Sequence, residues 1–291
     1  MTILNFGSVN IDHVYRVEHL VRPGETIASS DYRQFSGGKG FNQSIALARA
    51  GASVSHAGRI GADGVWLREQ LAGEGADVRF LQVIDSPSGH AIIQVDASGE
   101  NSIILFGGAN RTFTPDDAAE ILSHFGPGDW LLLQNEISAM PEILRLAVER
   151  GLRIVFNPAP MGAEVLGYPL NGVSIFILNE VEGEAFTGAS EADAILAGMH
   201  RRFPTATVVL TLGAAGCIYD DGTQRIALPA QKVDVVDTTA AGDTFIGYFL
   251  AGLSAGDDPQ AALETATRAA AICVTRPGAA PSIPRREELF G

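Results

Sequence analysis

Positive charge is scarce in this chain, and so are cysteine, tryptophan and long apolar runs. Against 34 acidic residues stand 20 lysines and arginines, for a formal net charge of −14. No dense basic run offsets it, and the pairs Arg201-Arg202 and Arg285-Arg286 read as solvated helix charges. That balance excludes nucleic acid as a main partner, because phosphate-backbone binding leans on basic patches. Small anions can still be held by backbone amides and a few lysines. The two cysteines, Cys217 and Cys273, lie on apolar stretches far apart in sequence. They read as buried free thiols of a reducing compartment, not as a disulfide framework. The six histidines are scattered without ligand-like spacing, so a zinc site is not expected. "MTILNFGSVN" enters a strand at once, with no basic n-region or apolar h-region, and no apolar run reaches membrane-spanning length. The expectation is a cytoplasmic protein with no membrane partner.

What is present is ample material for a core: 291 residues, 46% hydrophobic, with 33 glycines. This fits one large α/β domain with an appendage, or two domains. Strands are expected over Ile3–Val9, Val54–Gly58, Trp130–Gln134, Ile154–Asn157, Ile175–Leu178 and Val208–Leu212. Helices are expected over Asn42–Arg49, Val65–Ala72, Pro115–His124, Pro141–Glu149, Ala192–Arg202, Asp243–Ala255 and Pro259–Thr275. Thr114 before Pro115 is a good helix start. The βαβα order argues for a mostly parallel sheet covered on both faces, with ligands at the carboxyl ends of its strands. Two stretches, 13–36 and 89–106, are β-like without helices between. The second reads as a hairpin across "ASGE". Together they predict a small antiparallel lid at the edge of the main sheet, with an exposed edge suited to dimerisation.

"DTTAAGDTF" (237–245) carries the most chemistry. Ala240, Ala241 and Gly242 let backbone approach a ligand closely, and a helix start offers bare N–H groups to an anion. Asp243 lies in that first turn. Read alone, it is an acid favouring the helix dipole. Beside an anion site, a carboxylate is also what phosphoryl transfer to an alcohol needs: it accepts the hydroxyl proton while the amides hold the developing charge. In "FSGGKGFNQS" (35–44), glycines surround Lys39 and Asn42 opens a helix, although the loop matches neither Walker A nor G-x-G-x-x-G. In "GSVNID" (7–12), Asn10 and Asp12 end the first strand facing the same way, able to bond adjacent sugar hydroxyls. Asn179 and Glu182 in "LNEVEGEAFTG" have i,i+3 spacing, which places them on one helix face near nucleotide phosphates or simply supplies an acidic first turn. "TLGAAG" (211–216) either cradles a nucleotide or starts the "CIYDDGTQRI" hairpin.

Taken in order, "GSVNIDH", "PGET", "GGKGFNQS", "GENSIILFGGAN", "NPAP", "LNEVEGEAFTG", "VLTLGAAG", "VDTTAAGDTF" and "VTRPGAAPSIP" resemble the ribokinase-like (pfkB) carbohydrate kinases over nearly the whole length, and the ribokinase branch most closely. The resemblance implies a single domain over 1–291, with a three-layer α/β fold, a mostly parallel sheet flanked by helices, and a β lid that often mediates a homodimer. It implies ATP as phosphoryl donor with Mg²⁺ and K⁺, and a small sugar as acceptor, D-ribose giving D-ribose 5-phosphate first. Alternatives are fructose or another ketose, a sugar acid, a nucleoside, or a non-catalytic sugar-binding regulator. By the same resemblance Asp243 is the catalytic base, with Gly242, Ala241 and Ala240 at the anion hole. Asn10, Asp12, Gly38, Lys39, Asn42 and Glu136 bind the sugar. Asn179, Thr211, Gly213, Gly216, Gly242 and Thr267 meet the nucleotide, and Glu182 is linked to Mg²⁺ through water. Asp237, Thr239, Cys273, Arg276, Gly278 and Ser282 surround the monovalent cation, mostly through carbonyls. Four positions depart from the family pattern. Phe41 stands where a small residue is common in the sugar loop, and Asn135 where an apolar one is. Thr267 replaces a His or Asn at the adenine, and Pro277 a lysine in the cation loop. Phe41 and Asn135 put the identity of the sugar in question.

Overall fold

In the computed structural model, which describes residues 1–290, the apolar runs assemble into a nine-stranded sheet. The strands in chain order are β1 (Ile3–Phe6), β2 (Asn10–Arg16), β3 (Asp31–Gly37), β4 (Val54–Ile60), β5 (Leu81–Val83), β6 (Gly89–Val95) and β7 (Asn101–Phe106). They continue with β8 (Trp130–Gln134), β9 (Arg153–Asn157), β10 (Val173–Asn179), β11 (Thr207–Thr211), β12 (Cys217–Asp220) and β13 (Arg225–Leu228). The large sheet runs β13-β12-β11-β10-β9-β8-β1-β4-β5. It is parallel from β5 to β11, and only β12 runs against the rest, pairing antiparallel with β11 and β13. A separate four-stranded sheet, β3-β2-β6-β7, covers the stretches expected to form the small β unit.

The central strands are apolar on both faces because both faces are covered. In β1, Ile3 enters one core while Leu4 and Phe6 enter the other, and in β8 Leu132 is divided from Leu131 and Leu133 in the same way. The first core receives α1 (Lys39–Arg49), α2 (Val65–Gly73), α7 (Ala241–Ala255) and α8 (Pro259–Cys273). The second receives α3 (Pro115–Leu122), α4 (Met140–Glu149), α5 (Glu180–Thr187) and α6 (Ala192–Arg202). Thr114 does cap α3, in a reciprocal box with Asp117.

Several boundaries differ from expectation by a few residues, and two of them bear directly on the site. The first strand stops at Phe6, not Val9, so Asn10 and Asp12 belong to the small sheet. The cause is the helix start packed there: a Cβ at Gly7 would collide with Gln134 and Gly40, and the Phe41 N–H bonds the Ser8 carbonyl at 2.8 Å. Helix α1 begins at Lys39, before the expected Asn42, because Gly38 adopts φ +91° and the Glu136 carboxylate accepts the Lys39 N–H at 2.9 Å. No helix of the described residues is long and apolar enough to cross a membrane.

Candidate active site

Two helix starts face each other across the carboxyl edge of the sheet. Helices α1 and α7 can approach because Gly247 lies against Ala46; a Cβ on Gly247 would fall 2.3 Å from the Ala46 Cβ. One turn before these small residues, the same pair of helices carries polar groups. Asn42 Nδ2 donates to Asp243 Oδ2 at 3.0 Å, and Gln43 Nε2 donates to Asp243 Oδ1 at 2.9 Å. All three side chains are buried.

Ala240 starts α7 in the left-handed region, φ +61°, which a non-glycine residue adopts only at some cost. The turn aims the first N–H groups of the helix at open space. Ala241 N–H reaches back to the Thr238 carbonyl at 3.2 Å, whereas the N–H groups of Gly242 and Asp243 find no backbone acceptor among the described residues. A Cβ on Gly242 would meet nothing within 4 Å. The N–H groups left open to an acceptor are therefore those of Gly242 and Asp243 first, with Ala241 partly engaged in its own turn.

Opposite lies the β2 end of the small sheet. Asn10 Oδ1 accepts from Asn110 Nδ2 at 2.7 Å, and Asn110 Oδ1 in turn accepts the Val9 N–H at 3.1 Å. Asp12 lies over Gly37, where any Cβ would overlap its carboxyl. Burial, and then the nearby Glu136 carboxylate, push the Asp12 pKa up to about 7. Glu136 also accepts a short hydrogen bond from the Ser8 hydroxyl. Burial works to pull Lys39 down, but the carboxylates of Asp243, Glu136 and Glu182 outweigh it and leave its pKa raised. One ammonium thus stands among several carboxylates.

On the other side, Asn179 and Thr211 end the neighbouring strands β10 and β11 in register. Asn179 is the N-cap of α5 and does not share a helix face with Glu182. The two form a reciprocal cap, with Asn179 Oδ1 accepting the Glu182 N–H at 2.9 Å and Glu182 Oε2 accepting the Asn179 N–H at 3.0 Å. Burial raises the Glu182 pKa; the Asn179 N–H and Lys39 oppose this, and Asp243 adds to it. "TLGAAG" does start the β12–β13 hairpin, and it also leaves Gly213 facing open space, with φ +53°. Thr267, half-buried on α8, sits 3.9 Å from the Cys217 sulfur.

The expected cation positions converge as well. Asp237 accepts the Thr239 N–H at 2.9 Å and the Gly278 N–H at 2.8 Å, stapling two loops together. Cys273 and Ser282 meet at 3.1 Å, and Cys273 Sγ lies 3.6 Å from the Thr239 carbonyl. The Arg276 side chain instead turns to Glu288 at 2.6 Å. Both cysteines are buried and free. Among the described residues no group of three or more His, Cys, Asp or Glu side chains is arranged to hold a metal ion.

Two departures from the family pattern lose their force here. Phe41 is 0% exposed within the first core, so its ring does not line the pocket. Asn135 points away too, donating to the Pro160 carbonyl and Glu164 at 2.9 and 3.0 Å while accepting from the Tyr168 hydroxyl. Sequence reasoning missed Ser8, Gln43 and Asn110. All lie inside quoted motifs, but no spacing rule singles out a residue whose partners are side chains far off in sequence.

Residues 2–286 match the pfkB family of carbohydrate kinases. The chain is 36% identical to the ribokinase of Haemophilus influenzae, covering 99% of this chain and 97% of that protein. Among solved structures it resembles ribokinase from Cryptococcus neoformans in complex with ADP, at 37% identity and a TM-score of 0.85 over 99% of this chain and 98% of that one. It also resembles Arabidopsis thaliana ribokinase complexed with ribose and ATP, at 30% identity and a TM-score of 0.86 over 99% and 97%.

Proposed function

The chain belongs to the pfkB family of carbohydrate kinases, and from that premise we propose that it transfers the γ-phosphoryl group of ATP to the hydroxymethyl oxygen of D-ribose. One observation carries the reading: the Asp243 carboxylate and the free N–H groups of Gly242 and Asp243 share one helix start, facing the polar groups of β2 and α1. In this reading Asn10, Asp12, Gly38, Lys39, Asn42 and Glu136 hold the sugar hydroxyls. Asp243 accepts the proton of the reacting alcohol, and the N–H groups stabilise charge on the migrating phosphoryl group. Asn179, Thr211, Gly213, Gly216 and Thr267 line the nucleotide side.

The donor sets fit the two ions that the family implies. Both Glu182 oxygens are engaged by Asn179, at 3.0 and 3.2 Å, so Glu182 would reach Mg²⁺ through water. A divalent cation there would neutralise phosphate charge and relieve the crowding of Glu182 and Asp243. The loops stapled by Asp237 would hold K⁺ through Asp237, Thr239, Cys273, Arg276, Gly278 and Ser282, mostly by carbonyls, and the ion would order the turn ahead of Ala240. The small sheet acts as a lid over the sugar, excluding water from ATP. Its edge strand β7 is exposed throughout and presents Ile103, Ile104, Leu105 and Phe106, which supports a homodimer through that face.

An ADP-release screen with ribose, fructose, 2-keto-3-deoxygluconate, adenosine and pseudouridine tests the substrate, run with and without K⁺. Ribose is expected to give the highest kcat/KM; a higher value for any other compound rejects ribose. Leu105→Asp is expected to convert a dimer to a monomer by light scattering.

A further inference from the structure

We propose that Gln43 is a positioning residue for the Asp243 carboxylate, and that two buried main-chain carbonyls dictate which way its amide points. The inference rests on the reading of Asp243 as proton acceptor. It concerns a chain of amides beneath the site, all buried.

The chain of reasoning begins at the Gly40 carbonyl, which can only accept. Asn5 Nδ2 faces it at 2.7 Å and gives its other hydrogen to Ser44 Oγ at 2.8 Å. Ser44 Oγ also meets His56 Nδ1 at 2.8 Å, an imidazole that complete burial keeps neutral. Asn5 Oδ1 is thereby turned toward Gln134, whose Nε2 donates to it at 2.9 Å and to Gln43 Oε1 at 2.5 Å. With its oxygen engaged, Gln43 must turn its NH₂ the other way, where it meets Asp243 Oδ1 at 2.9 Å and Asn157 Oδ1 at 3.4 Å. Asn157 is fixed in turn, because its Nδ2 donates to the Ile177 carbonyl at 3.0 Å. An isolated amide can flip with little change of shape. Here the Gly40 and Ile177 carbonyls remove that choice from both ends.

Two further observations favour a role over mere core filling. Gln134 Oε1 is buried with no partner, an arrangement that costs stability and is explained if its NH₂ is what the site requires. The second Asp243 oxygen is held differently. Its donor, Asn42, leaves its own Oδ1 without a partner and has no comparable anchor. One carboxylate oxygen is locked from below, and the other is held by an amide on the sugar side that can exchange for the alcohol.

The test is a set of full-length variants, Gln43→Met, Gln134→Met and the double, with kcat measured for MgATP and sugar, and sugar Kd by calorimetry. Gln43→Met is expected to lower kcat about 10²-fold, as a misplaced reacting group does, and Gln134→Met about 10-fold, each with sugar Kd changed by less than about twofold. The double variant should be no slower than Gln43→Met alone, because Gln134 acts through Gln43. Multiplicative losses, an unchanged kcat, or equal losses in kcat and sugar affinity would overturn the proposal. Gln134→Glu keeps the shape but cannot donate twice. It covers the case of a methionine variant that fails to fold, and is expected to lose kcat about as Gln134→Met does. If the wild-type chain phosphorylates no sugar, the kinase reading fails by itself. A neutron diffraction structure of Gln134→Glu, which locates the amide hydrogens, then decides the present one: Asp243 and the Gln43 NH₂ found in their wild-type places would refute it.

Discussion

Where α1 meets α7, Asn42, Gln43 and Asp243 are buried and bonded to one another. Across the cleft, the β11–β13 end and the run before α7 lie open, with Val235 and Val236 both 61% exposed and Gly213 facing empty space. On the proposed reading, the two sides solve different recognition problems. A sugar is told apart by the directions of its hydroxyls, so its side of the cleft must hold donors and acceptors in place before the ligand arrives. A nucleotide offers a flat base and charged phosphates, which backbone N–H groups and apolar surface can meet with little side-chain specificity. Substitutions should therefore cost much on the first side and little on the second.

The sharpest break of that contrast is Asp243→Asn. It is expected to lower kcat by about 10²–10⁴-fold, as loss of a general base does, while calorimetric sugar binding stays within a few-fold. Turnover near the wild-type rate would mean that the buried side does not decide the chemistry. Next comes Gly247→Val, which leaves every polar group in place but forces α1 and α7 apart at Ala46. Overpacking of this kind costs about 1–3 kcal/mol, visible as a lower melting temperature. It should also reduce kcat, since α7 carries both the Asp243 carboxylate and the free N–H groups of Gly242 and Asp243.

The same contrast explains what could be read from sequence. The layers were legible because they rest on periodicity: Trp130–Gln134 and Ala192–Arg202 fall where apolar spacing predicts them. The position of Asp243 at a helix start was legible from the small residues before it, and the structure sets it there beside Asn42 and Gln43. Gln43, Gln134 and Asn5 were not. Their partners lie far off in sequence, and an amide pattern has no local period. The Asn10–Asp12 strand was assigned to the wrong sheet, because the close approach of Gly7 to Gly40 that ends β1 is a tertiary event. Asn179 and Glu182 were noticed for their spacing, yet i,i+3 fits a reciprocal cap as well as a shared helix face.

On the open side, Val235→Ser should raise the KM for ATP only about three- to tenfold, the scale of one partly covered apolar side chain, with sugar KM unchanged. Steady-state titration of each substrate reads both. A loss of sugar affinity would show that the open run is coupled to the buried side, and the division drawn above would have to be redrawn.

The smallest expected effect sets one carboxylate from each side against the other. Burial and the Glu136 charge hold Asp12 up at about 7 in the folded protein, against an ordinary value of 3.8. Between those pH values the native state keeps a proton that the unfolded chain has released, so Asp12 costs stability increasingly as pH rises, levelling off above about 7. Asp12→Asn cannot ionise and should melt about 2–4 °C above wild type at pH 8, with no difference near pH 4. Asp237 carries the opposite sign. Burial works to raise it, but the Thr239 hydroxyl and N–H and the Gly278 N–H prevail and hold it below 3.8. Its contribution is present above that value and is lost as pH falls through its folded pKa, so Asp237→Asn should melt lower than wild type at pH 8 and converge with it in acid. Melting curves of both variants across pH distinguish the two carboxylates. If both shifted the same way, the sugar side would not hold its acid against its natural ionisation, and the contrast between a preformed, crowded acceptor side and a loop-stapled donor side would lose its electrostatic basis.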